Sequence, residues 1–301
     1  MNRQSIAAVV VTFNRATLLK SVLEHIEQQT RRPDVLIIID NNSTDNTPEV
    51  VEAHRKVSSL KIDYLKLEKN IGGAGGFHAG MKKAYLDGYD LIWLMDDDTM
   101  PRPDALHHLE ADLNAFESKT AYAPAFICST VLWKNDDLCE MNIPQPVWDW
   151  PRFLYSEQQV ALVSSCSFVS VMVRREKVKH CGYPIKDFFI WYDDAEYTAR
   201  LSRGGYPGLL SMHSKVHHHL AENKGVNFSL VNSSNAWKFR YGIRNQGAVV
   251  LKEQGWLRYL WFGFSTLRQV FSTNAERNVK MSLLTSFLAG ARFKINVEYP
   301  E

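Results

Sequence analysis

The first hundred residues alternate short apolar runs with longer segments in which apolar residues recur every three or four positions. Residues 6–12 (Ile-Ala-Ala-Val-Val-Val-Thr) and 34–40 are continuous and β-branched, as expected of strands buried on both faces. Residues 62–67 and 91–95 supply a third and a fourth strand. Leu19, Val22, Leu23 and Ile26 space a helix over 16–29, and residues 41–47 form a polar turn and helix cap. A glycine-rich turn over 70–76 leads into a helix over 77–86. Strand followed by helix, repeated, predicts a parallel sheet covered by helices. Further on, strands are expected at 121–131 and 166–173, with a Pro/Trp-rich loop at 144–151. A helix over 193–203 should close at Gly204 and Gly205, and a short strand should precede the histidines at 217–219. From about 233 the pattern is helical to the end. It therefore predicts an α/β domain over 1–232 and a helical extension over 233–301.

Composition narrows the class only slightly. Of 301 residues, 45% are apolar and 23% charged, the balance of a globular chain able to bury a core. The net charge of +2 is uninformative about partners, and nothing points to nucleic acid. Its distribution matters more, because ten Lys or Arg face two Glu between residues 237 and 294. A segment with such an excess favours anionic surfaces, lipid headgroups or phosphates. With its many aromatic residues, it is expected to lie peripherally on a membrane, to pack on the main domain, or to form a homo-oligomer interface. The four cysteines show no metal-like spacing, and no signal peptide or spanning segment is evident. The expected location is cytoplasmic, at the inner face of the cell membrane.

Chemistry concentrates at a few places. Asp96-Asp97-Asp98 follows an apolar strand directly, where ligands of parallel sheets bind. Clustered carboxylates suit Mg²⁺ or Mn²⁺, which in turn bridge phosphates, although a solvated acidic turn has the same sequence. Residues 70–77, Asn-Ile-Gly-Gly-Ala-Gly-Gly-Phe, could bring a phosphate or sugar close to backbone amides at a helix start. They match neither a dinucleotide fingerprint, since His78 stands where a glycine is needed, nor a P-loop, since Met81 replaces the lysine. Asp193 and Asp194 fall at a helix start beside Trp191 and Tyr192. One is expected to cap the helix and the other to act as a general base. Three adjacent histidines, 217–219, offer an imidazole to complete a metal site, and Arg244 offers a phosphate-binding fork.

As a set these residues resemble the inverting glycosyltransferases of GT-A fold. Val11-Thr-Phe-Asn-Arg15, Asp40-Asn-Asn-Ser-Thr-Asp45, Asn70-Ile-Gly-Gly73 and Asp96-Asp-Asp98 occur in that family's order, over about residues 5–250. Residues 189–197, Gly205-Tyr-Pro207, His218 and 241–245 look most like the bacterial galactofuranosyltransferases. The resemblance implies that Thr12, Phe13, Asn14, Arg15, Asp40, Asn42, Asn70 and Gly73 hold the nucleotide sugar, with Asp97 near the donor sugar. It implies a metal on Asp96, Asp98 and His218, Asp194 as the base, and Arg244 at the diphosphate or the acceptor's phosphates. Trp191, Asp193 and Glu196 would shape the acceptor site. The implied donor is UDP-galactofuranose and the implied acceptor a glycan or lipid-linked polysaccharide such as O-antigen or capsule. A dTDP-rhamnose transferase and a non-catalytic carbohydrate- or lipid-binding protein are the alternatives.

Overall fold

The computed structural model describes residues 3–120 and 122–301. Strands β1 (Ile6–Thr12), β2 (Val35–Asp40), β3 (Ile62–Lys66) and β4 (Leu91–Asp96) form a parallel half-sheet in the order β3-β2-β1-β4. β1 is buried at every position, as its unbroken apolar run requires. Ala7, Val9 and Val11 face one core layer, with Phe77 and Met81 of α3 (Gly72–Leu86) and Tyr197 and Leu201 of α6 (Asp193–Arg203). Ile6, Ala8 and Val10 face the other. There α1 (Ala16–Glu27), α2 (Thr47–Val57) and α4 (Ala105–Lys119) supply Leu19, Leu23, Val51 and Leu106. Strand side chains alternate sides, so one strand serves two layers, and each fully buried Val or Ile contributes ~1.5–3 kcal/mol.

The sheet continues past β4 through strands the sequence shows less clearly. β9 (Val171–Arg174) runs antiparallel to β4 and is followed by β6 (Ile127–Leu132), β10 (Gly208–His218), β8 (Val160–Ser165) and β7 (Gln145–Pro146). The strand expected at 121–131 is β6, although Ala121 lies outside the described residues. That expected at 166–173 is corrected, because residues 166–170 are a loop and the strand begins at Val171. β10 has eleven residues and is not short. Its register slips between Ser211 and Lys215, where the Ser211 hydroxyl accepts from the Ser214 amide at 2.9 Å and donates to buried Asp112. The bulge breaks the two-residue alternation that would have marked the strand. A short α5 (Arg175–Cys181) follows β9 directly.

The glycine-rich turn is also corrected, since α3 starts at Gly72 and not at residue 77. Gly72 has φ 76°, and a Cβ there would lie 2.0 Å from the carbonyl oxygen of Phe189. Only glycine permits that approach.

Beyond residue 233 the chain forms α7 (Ala236–Phe271) and α8 (Arg277–Gly290). α7 reverses at Gly255, with φ 82° and ψ −179°, so that 256–271 folds back on 236–254. The last nine residues, 293–301, are a strap and not helix. Phe293, Ile295 and Val297 pack against Ile185 and Phe188, and the Tyr183 amide donates to the Glu298 carbonyl at 2.8 Å.

Candidate active site

A cleft of about 1340 Å³ opens at the carboxyl ends of β1 and β4. Strand ends form one wall, and residues 189–195 with the first turns of α7 form another.

The acidic triplet turns directly out of β4 into β5 (Thr99–Pro101), which pairs antiparallel with the end of β10. That register sets His218 opposite Thr99, and the His219 amide donates to the Asp98 carbonyl at 2.9 Å. His218 Nε2 lies 3.1 Å from Asp98 Oδ1. One ligand atom from each of Asp96, Asp98 and His218 falls within 4.8 Å of the others. Neighbouring residues on a strand face opposite ways, so His217 points elsewhere and pairs with Asp136 at 2.7 Å. Of the three histidines, His218 is the one brought beside Asp96 and Asp98. Its Nδ1 lies 2.7 Å from Asn142 Oδ1, and Asn142 in turn donates to Ser167 at 2.9 Å. An Nδ1 proton shared with Asn142 would leave Nε2 free to ligate a metal.

Electrostatics fit a cation at this point. Burial and then the charge of Asp98 push the Asp96 carboxyl up to about 7. Burial raises Asp97 to about 6, against the pull of Arg15. Burial works on Asp98 in the same sense, but His218 and Arg15 outweigh it and hold its carboxyl below the ordinary range. Two carboxylates and an imidazole, buried with like charges adjacent, form a donor set suited to a divalent ion.

Other expected donor-site residues divide into two groups. Thr12, Phe13, Arg15, Asn70, Gly73 and Asp97 line the cleft. Thr12 Oγ1 donates to Asp97 Oδ2 at 2.8 Å, and Arg15 bridges Asp97 and Asp98 at 3.1 and 2.7 Å. Asp40, Asn14 and Asn42 lie outside the lining. Asp40 is fully buried, its oxygens occupied by the Ser43 amide at 2.7 Å and the Tyr64 hydroxyl at 2.6 Å. Asn14 binds the Thr44 amide through its side chain at 2.8 Å, and Asn42 sits at φ 65° in the same loop. Asp40 ends β2, and Asn14 and Asn42 belong to the loops after β1 and β2, outside the lining of the cleft.

The opposite wall is a strained segment. Phe189, Trp191 and Tyr192 have φ of 67°, 67° and 73°, values that cost non-glycine residues energy unless their surroundings impose them. Here the surroundings do. Fully buried Asn245 reaches the carbonyls of Phe188, Ile190 and Trp191 at 3.0, 3.1 and 2.8 Å, and the Ala74 amide binds the Phe189 carbonyl at 3.1 Å.

Arg244 belongs to the same brace. Its guanidinium donates to the Asp187 and Phe188 carbonyls at 3.0 and 3.1 Å and lies over the Tyr241 and Phe293 rings. It borders the cleft with Nε and Nη2 engaged, while Nη1 makes no hydrogen bond among the described residues. Lys238, one turn or so earlier, was missed because a lone lysine on a helix carries no motif. It lines the cleft, and burial and the nearby Arg15 lower its pKa while Asp98 raises it.

This strained segment delivers Asp193 and Asp194 to the cleft at the start of α6. The helix cap is Tyr192, with no side-chain capping bond, so neither aspartate caps in the expected manner. Asp194 Oδ1 accepts from the Ala195 amide at 2.7 Å. Burial raises its pKa, and that amide opposes the rise. Asp193 is buried, and burial followed by the charge of Asp194 holds its carboxyl well above the ordinary range. Trp191 lines the cleft, its ring edge-on to Phe239 at 4.8 Å. Glu196 does not reach the cleft; it is buried in a two-pronged pair with Arg200 at 2.8 and 3.0 Å.

Fold and cleft together define a glycosyltransferase of GT-A fold. A solved structure of GalNAc-T7 with UDP, GalNAc and Mn²⁺ superposes with a TM-score of 0.67 at 16% identity, covering 95% of this chain and 55% of that one. The chain belongs to glycosyl transferase family 2, whose model matches residues 7–182. It is 28% identical over 287 residues to galactofuranosyltransferase GlfT1 of Mycolicibacterium smegmatis, covering 85% of this chain and 89% of the relative. It is 30% identical over 288 residues to the protein of the same name from Mycobacterium tuberculosis, covering 88% and 90%.

Proposed function

We propose that this chain transfers galactofuranose from UDP-galactofuranose to a hydroxyl of a glycan or lipid-linked polysaccharide, with inversion at the anomeric carbon. One observation carries the reading. The set Asp96, Asp98 and His218 and the carboxylate of Asp194 border one cleft, within electrostatic range of each other. The donor assignment draws support from the two GlfT1 relatives, which align along about nine-tenths of their own length.

Asp96, Asp98 and His218 would hold a divalent ion, Mn²⁺ or Mg²⁺. When bound, it supplies neutralisation of the leaving diphosphate. Lys238, with no carboxylate in ion-pair distance among the described residues, adds a second positive charge. The Asp194 oxygen not bound to the Ala195 amide accepts the proton of the acceptor hydroxyl. The hydroxyl oxygen then bonds to the anomeric carbon from the face opposite the diphosphate, and the carbon–oxygen bond to UDP breaks. An α-linked donor thus yields a β-glycoside. Asn70, Gly73 and Phe13 border the donor end, and Trp191 offers a ring to a sugar face.

The test is UDP release in the presence of Mn²⁺, comparing UDP-galactofuranose with dTDP-rhamnose over a panel of glycan acceptors. Faster turnover of UDP-galactofuranose is expected. Preference for dTDP-rhamnose would overturn the donor, and absence of release from any donor would return the chain to a binding role.

A further inference from the structure

The second half of α7 has two apolar faces, and the protein covers only one. On the inner face Tyr259, Gly263, Thr266 and Val270 are buried, at spacings of four, three and four. They pack against Ile243, Phe239, Leu283 and Phe287 of the neighbouring helices. On the outer face Trp256, Leu257, Leu260, Trp261 and Phe264 are between 59% and 85% exposed. At roughly 100° per residue these five fall within an arc of about 140°. Phe271 lies on the same arc, and exposed Met281 and Leu288 stand on adjacent α8. Single exposed apolar side chains are ordinary, whereas a stripe about 22 Å long marks a surface that binds something.

The charges around the stripe identify its occupant. Arg258, Arg268 and Arg277 are exposed, and among the described residues no carboxylate lies within ion-pair distance of them. Of the nearby acids, Glu253 is engaged by Arg203 at 2.6 and 3.0 Å, and Glu276 accepts from the Ser233 hydroxyl at 3.3 Å. Arg268 falls within the apolar arc and Arg258 about 60° beyond it, where long stems can lie along acyl chains while the charged heads reach upward. A symmetric pairing of two copies would set this positive strip against itself, at an electrostatic cost. An anionic lipid surface instead satisfies both halves of the pattern, apolar burial and cationic attraction. No described helix is long and apolar enough to cross a membrane, so the stripe would lie in the interface.

We propose that the outer face of residues 256–271 docks the protein on anionic lipid bilayers. The reversal at Gly255 makes this possible, because it turns the stripe outward while the first half of α7 lines the cleft with Trp237 and Tyr241. The docking stripe and the wall of the cleft are thus the two halves of one helix. The docking itself rests on this surface alone and not on the identity of the donor.

Flotation of the full chain with vesicles tests it, without donor or acceptor. Binding is expected to phosphatidylcholine vesicles containing phosphatidylglycerol at low salt, weakening at high salt and with phosphatidylcholine alone. Trp261→Glu combined with Phe264→Glu should reduce binding at least tenfold, and Arg258→Glu combined with Arg268→Glu should reduce it and flatten its salt dependence. Thermal melting should be unchanged in both, because the altered side chains contact solvent. Failure to float with anionic vesicles at low salt, or equal flotation of the Trp261/Phe264 variant, overturns the proposal. So does a dimer in sedimentation equilibrium that these same substitutions dissociate, which would make the face an interface between copies.

Discussion

The side-chain amide of Asn245, on α7, donates to the carbonyl of Trp191 at 2.8 Å and holds in place a backbone that would otherwise relax. Three residues of that segment sit at positive φ, and the two aspartates at the start of α6 follow immediately. The helix after residue 233 therefore positions Asp193 and Asp194 from the far side of the cleft. Asn245→Ala removes donors from three carbonyls and leaves them buried, a loss of roughly 1–3 kcal/mol per unsatisfied group. Turnover should fall by about 10²-fold through misplacement of the reacting groups, with nucleotide affinity little changed. Asn245→Asp, the same size, should be worse because it turns a carboxylate toward the carbonyls. Wild-type turnover in Asn245→Asp, checked with UDP release and thermal melting, would show that the segment needs no such brace.

Asp194→Asn keeps the shape of the side chain and removes the proton acceptor. Transfer should fall by roughly two to four orders of magnitude, while donor affinity measured by calorimetry stays near wild type. Asp193→Asn should cost far less, since burial already favours its protonated, uncharged form. Burial also raises Asp194, so kcat/KM in the wild type should climb with pH through a value above the ordinary carboxylate range. A dead Asp193→Asn with an active Asp194→Asn would reverse the assignment.

Much of this site could be read from the chain because its strand-end motifs are contiguous. Ile6–Thr12 and Val35–Asp40 are buried on both faces and leave no polar periodicity to mislead. Asp96 to Asp98 then follow a strand whose end is set by its own apolar run. The choice of His218 among three histidines rested on the resemblance and not on residue type or spacing, because it depends on the register of β5 on β10 and on the bulge at Ser211. The partners of Asp40 and Glu196 were not legible for a related reason. An isolated carboxylate looks the same in sequence whether it faces a ligand or a buried partner, here Tyr64 and Arg200. Lys238 and Asn245 acquire their roles only when α7 docks across the cleft.

Metal binding can be followed without turnover. Calorimetric titration with Mn²⁺ should give a single site that His218→Ala or Asp98→Ala abolishes and His217→Ala preserves. Asn142→Ala, which frees the far nitrogen of His218, should weaken it by about 10–100-fold. Equal loss in His217→Ala and His218→Ala would break the link between strand register and ligand choice.

Lys238 and Arg244 should separate in behaviour. Lys238→Ala is expected to lower kcat by about 10²-fold, the effect of removing one preorganised donor from a developing negative charge. Its melting temperature should hold. Arg244→Ala should lower the melting temperature as well, since the Asp187 and Phe188 carbonyls lose their donor. A Lys238→Ala enzyme with unaltered kcat would leave neutralisation of the diphosphate to other groups.

The strap at the end of the chain should respond to acid. The Glu298 carboxylate is bound by Lys82 at 2.6 Å and Lys186 at 2.7 Å, with His78 Nε2 at 3.2 Å. Hydrogen bonds from Lys186 and Lys82 lower its pKa from the ordinary 4.5 to about 2. A carboxyl depressed by folding stabilises the native state above its unfolded pKa and loses that contribution as pH falls toward the folded value. Wild type should therefore melt higher than Glu298→Gln above about pH 5, and the two curves should converge between pH 4.5 and 2. Raising pH from 6 to 8 should not change the gap, because the carboxyl is already ionised in both states. Phe293, Ile295 and Val297 remain packed whatever the charge of Glu298, so the acid effect should be a graded loosening measured by amide exchange at Tyr183. A constant gap down to pH 2 would mean that Glu298 stabilises by packing and not by its charge.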